Sequence, residues 1–325
     1  MDTIDKLSKL KSNVQEIITE EELYSLLSKD HPKMYIGFEP SGAIHLGSLI
    51  IIKKLKEFHE AGFEVNILLA DWHAMLNDKL NGDLEKIKEA GILLKNVYEK
   101  MGVNANFLWA SNIVSDVHYW ELVLKVAKAS TLARIRRSMT IMGRKEEEGD
   151  ADLSKLIYPC MQVADIFYLD VDVAYAGEDQ RKAHMLAREV ADKYHWKKVI
   201  ALHTPILSNL KGNMRMDSFE GKMSKSNPEN AILFTDTKQE IENKLKKAYC
   251  PEKIIEGNPV IDIVKYIIFP WESQLEIVRP IKFGGSAVYS TYNRLKEDYE
   301  KGAIHPMDLK NSVAIALERI MELSE

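Results

Sequence analysis

Five short apolar runs punctuate the first two thirds of the chain: MYIGF (34–38), VNILLA (65–70), NFLWA (106–110), VDVAYAG (171–177) and VIALHTPIL (199–207). Short apolar runs of this kind suit strands buried on both faces, and the segments between them carry the apolar spacing of helices. The alternation predicts an α/β fold, a Rossmann-like parallel sheet covered by helices on both sides. The stretch at about 77–150 is more helix-rich than a minimal crossover needs and reads as a helical insertion with its own surface role. Residues 4–30 read as packing helices, the second starting where Thr19 caps Glu20, Glu21 and Glu22. After about residue 235 the strand-like runs give way to helical patterns, KQEIENKLKKAY and PVIDIVKYIIF, with a turn at Gly284 and Gly285. Two domains are expected: 1–235, and an all-α domain over 236–325.

Composition narrows the class. With 44 Lys+Arg against 49 Asp+Glu the net charge is −5, so any site for a polyanion must be local. Cys160 and Cys250 stand far apart with no Cys-x-x-Cys pair, which argues against a disulfide framework or a thiolate zinc site. The N-terminus lacks a signal-type apolar run, and no apolar stretch approaches the roughly 20 residues that span a bilayer. A cytoplasmic protein with no membrane partner is expected.

Three segments carry chemistry. The first is Tyr35-Ile-Gly37-Phe-Glu-Pro-Ser-Gly42-Ala-Ile-His45-Leu-Gly47-Ser48, a glycine-bearing turn between a strand and a helix. Such a turn brings backbone N–H groups and a helix start close to a phosphate, with an imidazole able to donate to developing charge. Its spacing is not that of a dinucleotide fingerprint, and by itself it suits a purely structural turn at least as well. The second is Gly221-Lys222-Met223-Ser224-Lys225-Ser226, after the last strand-like run, which suits either a closing loop that places cations over phosphates or a solvated linker. The third is Tyr158-Pro-Cys-Met-Gln162-Val-Ala-Asp165. Its i, i+4, i+7 spacing puts Tyr158, Gln162 and Asp165 on one helical face amid Ile157, Met161, Val163 and Ile166, which suits a lined pocket or a polar helix face.

Together, His45-x-Gly47 and the complete Lys222-Met223-Ser224-Lys225-Ser226 resemble the paired signatures of the class I aminoacyl-tRNA synthetases, with Ser48 where the family usually has a second histidine. The likeness extends to the tyrosyl-tRNA synthetases of archaea and the eukaryotic cytosol, through the Tyr158-to-Asp165 helix and Gly177-Glu-Asp179-Gln180-Arg-Lys182. It covers the chain from about residue 15 to the end, including Leu68-Leu-Ala70-Asp-Trp-His73-Ala74, Ala248-Tyr-Cys-Pro251 and His305-Pro-Met-Asp308. The Ser111-Asn112-Ile113-Val114 stretch departs from the acidic–aromatic–Gln pattern common in relatives.

The resemblance implies a ligase that activates L-tyrosine with ATP and Mg2+ to tyrosyl-adenylate, then passes it to the 3′-terminal ribose of tRNA(Tyr), with no tightly bound cofactor and no protein-bound metal. It implies that Tyr35 and Asp165 read the phenol, and that Tyr158, Gln162 and Gln180 hold the ammonium, with Gly37, Ala70 and His73 lining the pocket. Gly47, Gly177, Asp179, Met223, Ser224 and Ser226 fall to ATP, and His45, Gly47, Ser48, Lys222 and Lys225 to catalysis.

Between Lys125 and Lys145 lie seven basic residues and no acidic one, a local charge of +7 that can hold phosphates. By resemblance this region forms a homodimer surface and meets the acceptor stem, with Arg136 and Arg137 as candidates for its end. The C-terminal region would bind the anticodon, Phe283 stacking a base and His305 and Asp308 reading a base edge. Two rivals share features: a tryptophanyl or other adenylate-forming enzyme of the same signature, and a non-catalytic tRNA-binding paralogue.

Overall fold

The computed structural model describes residues 2–143, 152–212, 223 and 228–324. The chain divides into two compact units, Met1–Gly42 with Lys54–Pro205, and Ala43–Lys53 with Ile206–Glu325.

The first unit is built on a six-stranded sheet: β1 (Glu16–Ile18), β2 (Lys33–Phe38), β3 (Glu64–Leu69), β4 (Asn106–Trp109), β5 (Val173–Gly177) and β6 (Ile200–Thr204). Their spatial order is β1-β6-β5-β2-β3-β4. All five predicted runs become strands, and their largely apolar character is explained by burial on both faces: Met34, Ile36, Ile67, Leu69, Val173 and Ala174 are almost fully enclosed. The pairings among β2 to β6 are parallel. After β4 the chain returns to place β5 on the other side of β2, so the strand order reverses between β2 and β5. At such a switch point the carboxyl ends of the strands leave a crevice.

Two expectations about this unit are corrected. Residues 4–30 are not wholly helical: between the helices Thr3–Lys11 and Glu20–Leu26 lies β1, which pairs antiparallel with β6 and makes the sheet mixed. Three residues are too short to display a strand period, and edge pairing supplies what local sequence lacks. The Thr19 cap is present as read, its hydroxyl accepting from Glu22 N while the Glu22 carboxylate accepts from Thr19 N. Within 77–150, β4 belongs to the main sheet and the helix Leu84–Lys100 leads into it. What lies outside the regular pattern begins after Trp109: the helices Ala110–Ile113, Val117–Ala129 and Leu132–Ser138.

The second unit holds the helices Lys238–Lys247, Pro259–Ile263, Tyr292–Glu300 and Pro306–Met321. It is not all-α, because β7 (Leu275–Ile277) pairs antiparallel with β8 (Ala287–Tyr289). Leu275 and Ile277 face inward around an exposed Glu276, and Gly284 and Gly285 supply the positive φ needed between the strands, +103° and +72°. Of the segment 206–235, grouped by sequence with the first domain, the described residues are tied into this unit. Leu210 N donates to Asn230 O, Tyr249 N to Leu210 O, and Leu46 N to Ile232 O. Among the described residues no helix is long and apolar enough to cross a membrane.

Candidate functional site

At the carboxyl end of β2 the sequence alternates a buried Tyr35 with Gly37. A side chain at Gly37 would meet the Tyr35 hydroxyl at 2.8 Å, so glycine keeps the space beside that phenol open. Facing Tyr35 from the helix Ser154–Tyr168 is Asp165, only 1% exposed. The Tyr35 hydroxyl donates to Asp165 Oδ2 over a long 3.5 Å. His73 Nε2 approaches the same oxygen at 3.0 Å, from the short helix Asp71–Leu76 that follows β3. Tyr119 completes the set: its hydroxyl donates to Asp165 Oδ1 at 2.9 Å.

Burial, reinforced by the Asp165 carboxylate, pushes the Tyr35 and Tyr119 phenols well above their ordinary range. Burial alone would lower the His73 imidazole, but the carboxylates of Asp165, Glu39 and Asp71 outweigh it and raise its pKa. Ala70, buried at the end of β3, donates its N–H to Phe38 O and holds the neighbouring strand end in register.

One and two turns back along the same helix stand Gln162 and Tyr158, as the spacing requires. Gln162 Nε2 donates to Gln180 Oε1 at 3.1 Å, and Gln180 Nε2 to Ile141 O at 3.0 Å. Gln162 Oε1 is buried and accepts no hydrogen bond from the described residues. The Tyr158 ring meets His73 edge-on at 5.3 Å, and burial with the nearby Glu39 carboxylate raises its phenol strongly. Gly177 ends β5, and Asp179 and Gln180 occupy the turn Glu178–Gln180 that follows. Tyr35, Gly37, Ala70, His73, Tyr158, Gln162, Asp165 and Gln180 therefore belong to the first unit, with Gly177 and Asp179 at the adjoining strand end.

In the second unit, His45 forms a bridge with Leu233, and its Nδ1 accepts from Gly47 N at 3.0 Å. A Cβ at Gly47 would fall 2.7 Å from the His45 ring, so the motif glycine is needed for the imidazole to lie over it. Ser48 opens the helix Ser48–Glu60, its N–H bonded to His45 O. Met223 is buried, its N–H donated to Leu207 O at 2.8 Å. Lys222, Ser224, Lys225 and Ser226 lie outside the described residues.

Arg136 and Arg137 are exposed in the last turn of the helix Leu132–Ser138, and Lys125 and Lys128 are exposed on the preceding helix. Arg134 is committed elsewhere, clasping Glu189 through Nε and Nη2. Arg144 and Lys145 lie outside the described residues. Phe283 ends the short turn Ile281–Phe283. His305 caps the helix Pro306–Met321, its Nδ1 accepting from Met307 N, with Asp308 in the first turn.

Sequence reasoning missed Tyr119 and Glu39. Glu39 follows β2 directly and accepts from Asn77 Nδ2 through both oxygens, at 2.9 and 3.1 Å, while Asn77 also reaches Met142 O. An acid next to a strand end in a glycine-rich turn was the available signal for Glu39. Tyr119 gave none, sitting in an apolar helix among Val117, Leu122 and Val123.

The family described as tRNA synthetases class I (W and Y) matches residues 27–322. The chain is 53% identical over 314 residues to the tyrosine–tRNA ligase of Picrophilus torridus, covering 95% of this chain and 94% of that protein. It is 47% identical to the tyrosine–tRNA ligase of Aeropyrum pernix, over 99% of this chain and 92% of the relative. A crystal structure of tyrosyl-tRNA synthetase complexed with L-tyrosine from Archaeoglobus fulgidus superposes with a TM-score of 0.91 at 42% identity, covering 99% of this chain and 98% of the other.

Proposed function

This chain belongs to the class I tRNA synthetases and catalyses the ligation of tyrosine to tRNA, and on that premise we propose which of its residues carry each step. Tyrosine and ATP form tyrosyl-adenylate, and the tyrosyl group then moves to the terminal ribose of tRNA. The substrate carboxylate is the nucleophile, so the protein's share is positioning and stabilisation of charge.

Asp165 and Tyr35 read the phenol. The observation that carries this is a carboxylate 1% exposed with Tyr35, His73 and Tyr119 converging on it beside Gly37. A carboxylate has four acceptor positions, and the hydroxyls of Tyr35 and Tyr119 take one on each oxygen, which leaves acceptor capacity for a substrate O–H. Tyr158, Gln162 and Gln180 take the ammonium, for which the buried Gln162 Oε1 is an acceptor without a donor among the described residues. Ala70 and His73 line the same pocket.

Gly47, Gly177, Asp179, Met223, Ser224 and Ser226 are assigned to ATP, and Gly47 and Ser48 join His45, Lys222 and Lys225 in the catalytic set. His45 stabilises the phosphate at the reacting centre, and Lys222 and Lys225 neutralise the departing pyrophosphate. Mg2+ comes with the nucleotide; among the described residues no three His, Cys, Asp or Glu side chains converge to hold a metal. Arg136 and Arg137 meet the acceptor end, and Phe283, His305 and Asp308 the anticodon. A cytoplasmic homodimer with a catalytic domain and a C-terminal anticodon-binding domain completes the proposal.

ATP–pyrophosphate exchange measured with each amino acid separately tests it. Exchange dependent on tyrosine is expected; exchange driven equally by tryptophan, or by no amino acid, would sink the assignment.

A further inference from the structure

We propose that Tyr119 is a specificity-positioning residue: by donating its hydroxyl to Asp165 Oδ1, it fixes the carboxylate so that Oδ2 faces the substrate phenol. The inference rests on the assignment of Asp165 as the reader of that phenol. It begins from a property of aspartate itself. The last torsion of the side chain is broad, so a carboxylate in a pocket has no preferred orientation of its own, and its partners must impose one.

Here the partners divide the two oxygens unequally. Oδ2 is approached by His73 Nε2 at 3.0 Å, from the helix Asp71–Leu76, and by the Tyr35 hydroxyl at 3.5 Å, from β2. Oδ1 is held from the opposite side by Tyr119 at 2.9 Å. A hydroxyl has one proton to give. Met161 O also lies 3.3 Å from the Tyr119 oxygen, but the 2.9 Å contact to Asp165 Oδ1 is the shorter and has the stronger claim on that proton.

Tyr119 is itself immobilised. It is fully buried on the helix Val117–Ala129, and its ring meets Trp120 and Tyr168 edge-on, each at 5.7 Å. A donor on so fixed a ring can orient the carboxylate, whereas the long Tyr35 contact is free to yield to a substrate O–H. Without the Tyr119 hydroxyl, Asp165 turns to satisfy Oδ1 elsewhere, and the acceptor position reserved for the phenol is lost. Phenylalanine, having no O–H, does not feel that loss.

This asymmetry between substrates separates positioning from mere packing. Tyr119→Phe removes one buried oxygen and keeps the ring. In pyrophosphate exchange with the full-length protein, it should lower kcat/KM for tyrosine about tenfold, the usual consequence of disturbing a hydrogen bond to a charged group, with kcat/KM for phenylalanine unchanged. Tyr119→His, which offers a ring N–H in place of the hydroxyl, should recover part of the lost preference. Unchanged tyrosine activation in Tyr119→Phe would overturn the proposal, and so would equal losses for both amino acids, the mark of a packing role. No recovery in a folded Tyr119→His would also count against it. A parent protein that activates the two amino acids equally would overturn the underlying assignment of Asp165 as well.

Discussion

Replacing Asp165 by alanine should remove most of the enzyme's preference for tyrosine over phenylalanine. The magnitude follows from the geometry. Asp165 is 1% exposed, and when phenylalanine occupies the pocket one acceptor position of this carboxylate faces hydrocarbon, while the Tyr35 hydroxyl is left with its long 3.5 Å contact to Asp165 Oδ2. An unsatisfied buried polar group costs about 1–3 kcal/mol, and a charged one more, so the two together penalise phenylalanine by roughly 3–5 kcal/mol. At about 1.4 kcal/mol per factor of ten, this is a preference of about two to four powers of ten. In Asp165→Ala the charged share of that penalty is gone for both substrates, and the preference should fall by about two powers of ten. The variant also strips Tyr119 and His73 of their common partner, so its fold must be checked by circular dichroism, with Asp165→Asn as a control that retains an acceptor oxygen. The assay is pyrophosphate exchange with tyrosine and with phenylalanine, each over a full concentration range. A folded Asp165→Ala protein that rejects phenylalanine as strongly as the parent would falsify the reasoning, because the phenol would then be read elsewhere.

Lys222→Ala and Lys225→Ala should each slow adenylate formation by about tenfold or more and leave tyrosine binding nearly unchanged, since cations acting on moving phosphate charge show in turnover rather than in ground-state binding; single-turnover kinetics with equilibrium binding decide it. Arg136→Ala and Arg137→Ala should weaken aminoacylation and flatten its salt dependence while sparing pyrophosphate exchange, because each removes one exposed phosphate contact; equal loss in both half-reactions would point to damaged folding instead. Acid should destabilise the first unit through His184, whose pKa burial and the adjacent His203 hold down at about 3. Between that value and roughly 6.5 the proton binds only the unfolded chain, so stability falls as pH falls, by about 1.4 kcal/mol per unit from this group. Urea unfolding at pH 7 and pH 5 measures the loss, and a His184→Leu variant with the same slope as the parent would refute the attribution.

The parallel core was legible because strands buried on both faces are predominantly apolar, and MYIGF, VNILLA and VDVAYAG show that without reference to any partner, with Asn66 and Asp172 the polar exceptions. The face of Tyr158, Gln162 and Asp165 was legible because helical spacing is a local property. Tyr119 was not: its role depends on a contact with a residue 46 positions away, and a lone tyrosine in an apolar helix has the sequence appearance of core. The edge strand β1 escaped for a related reason, since Glu16-Ile17-Ile18 becomes a strand only through its register with β6. The β7–β8 hairpin announced its turn at Gly284 and Gly285 but not its arms, each only three residues long.

Under the proposed assignment, the single helix that carries Tyr158, Gln162 and Asp165 works as a ruler. Its backbone advances about 1.5 Å per residue, so the marks that meet the two ends of the amino acid, at 158 and 165, are separated by roughly 10 Å along a rigid axis. Loops can adapt to a ligand of the wrong length; one uninterrupted helix cannot shorten or extend. An amino acid with one methylene more between its ring and its α-carbon, or one fewer, must leave a polar end unsatisfied however well its ring fits. The enzyme thus gauges the length of its substrate as well as its terminal hydroxyl.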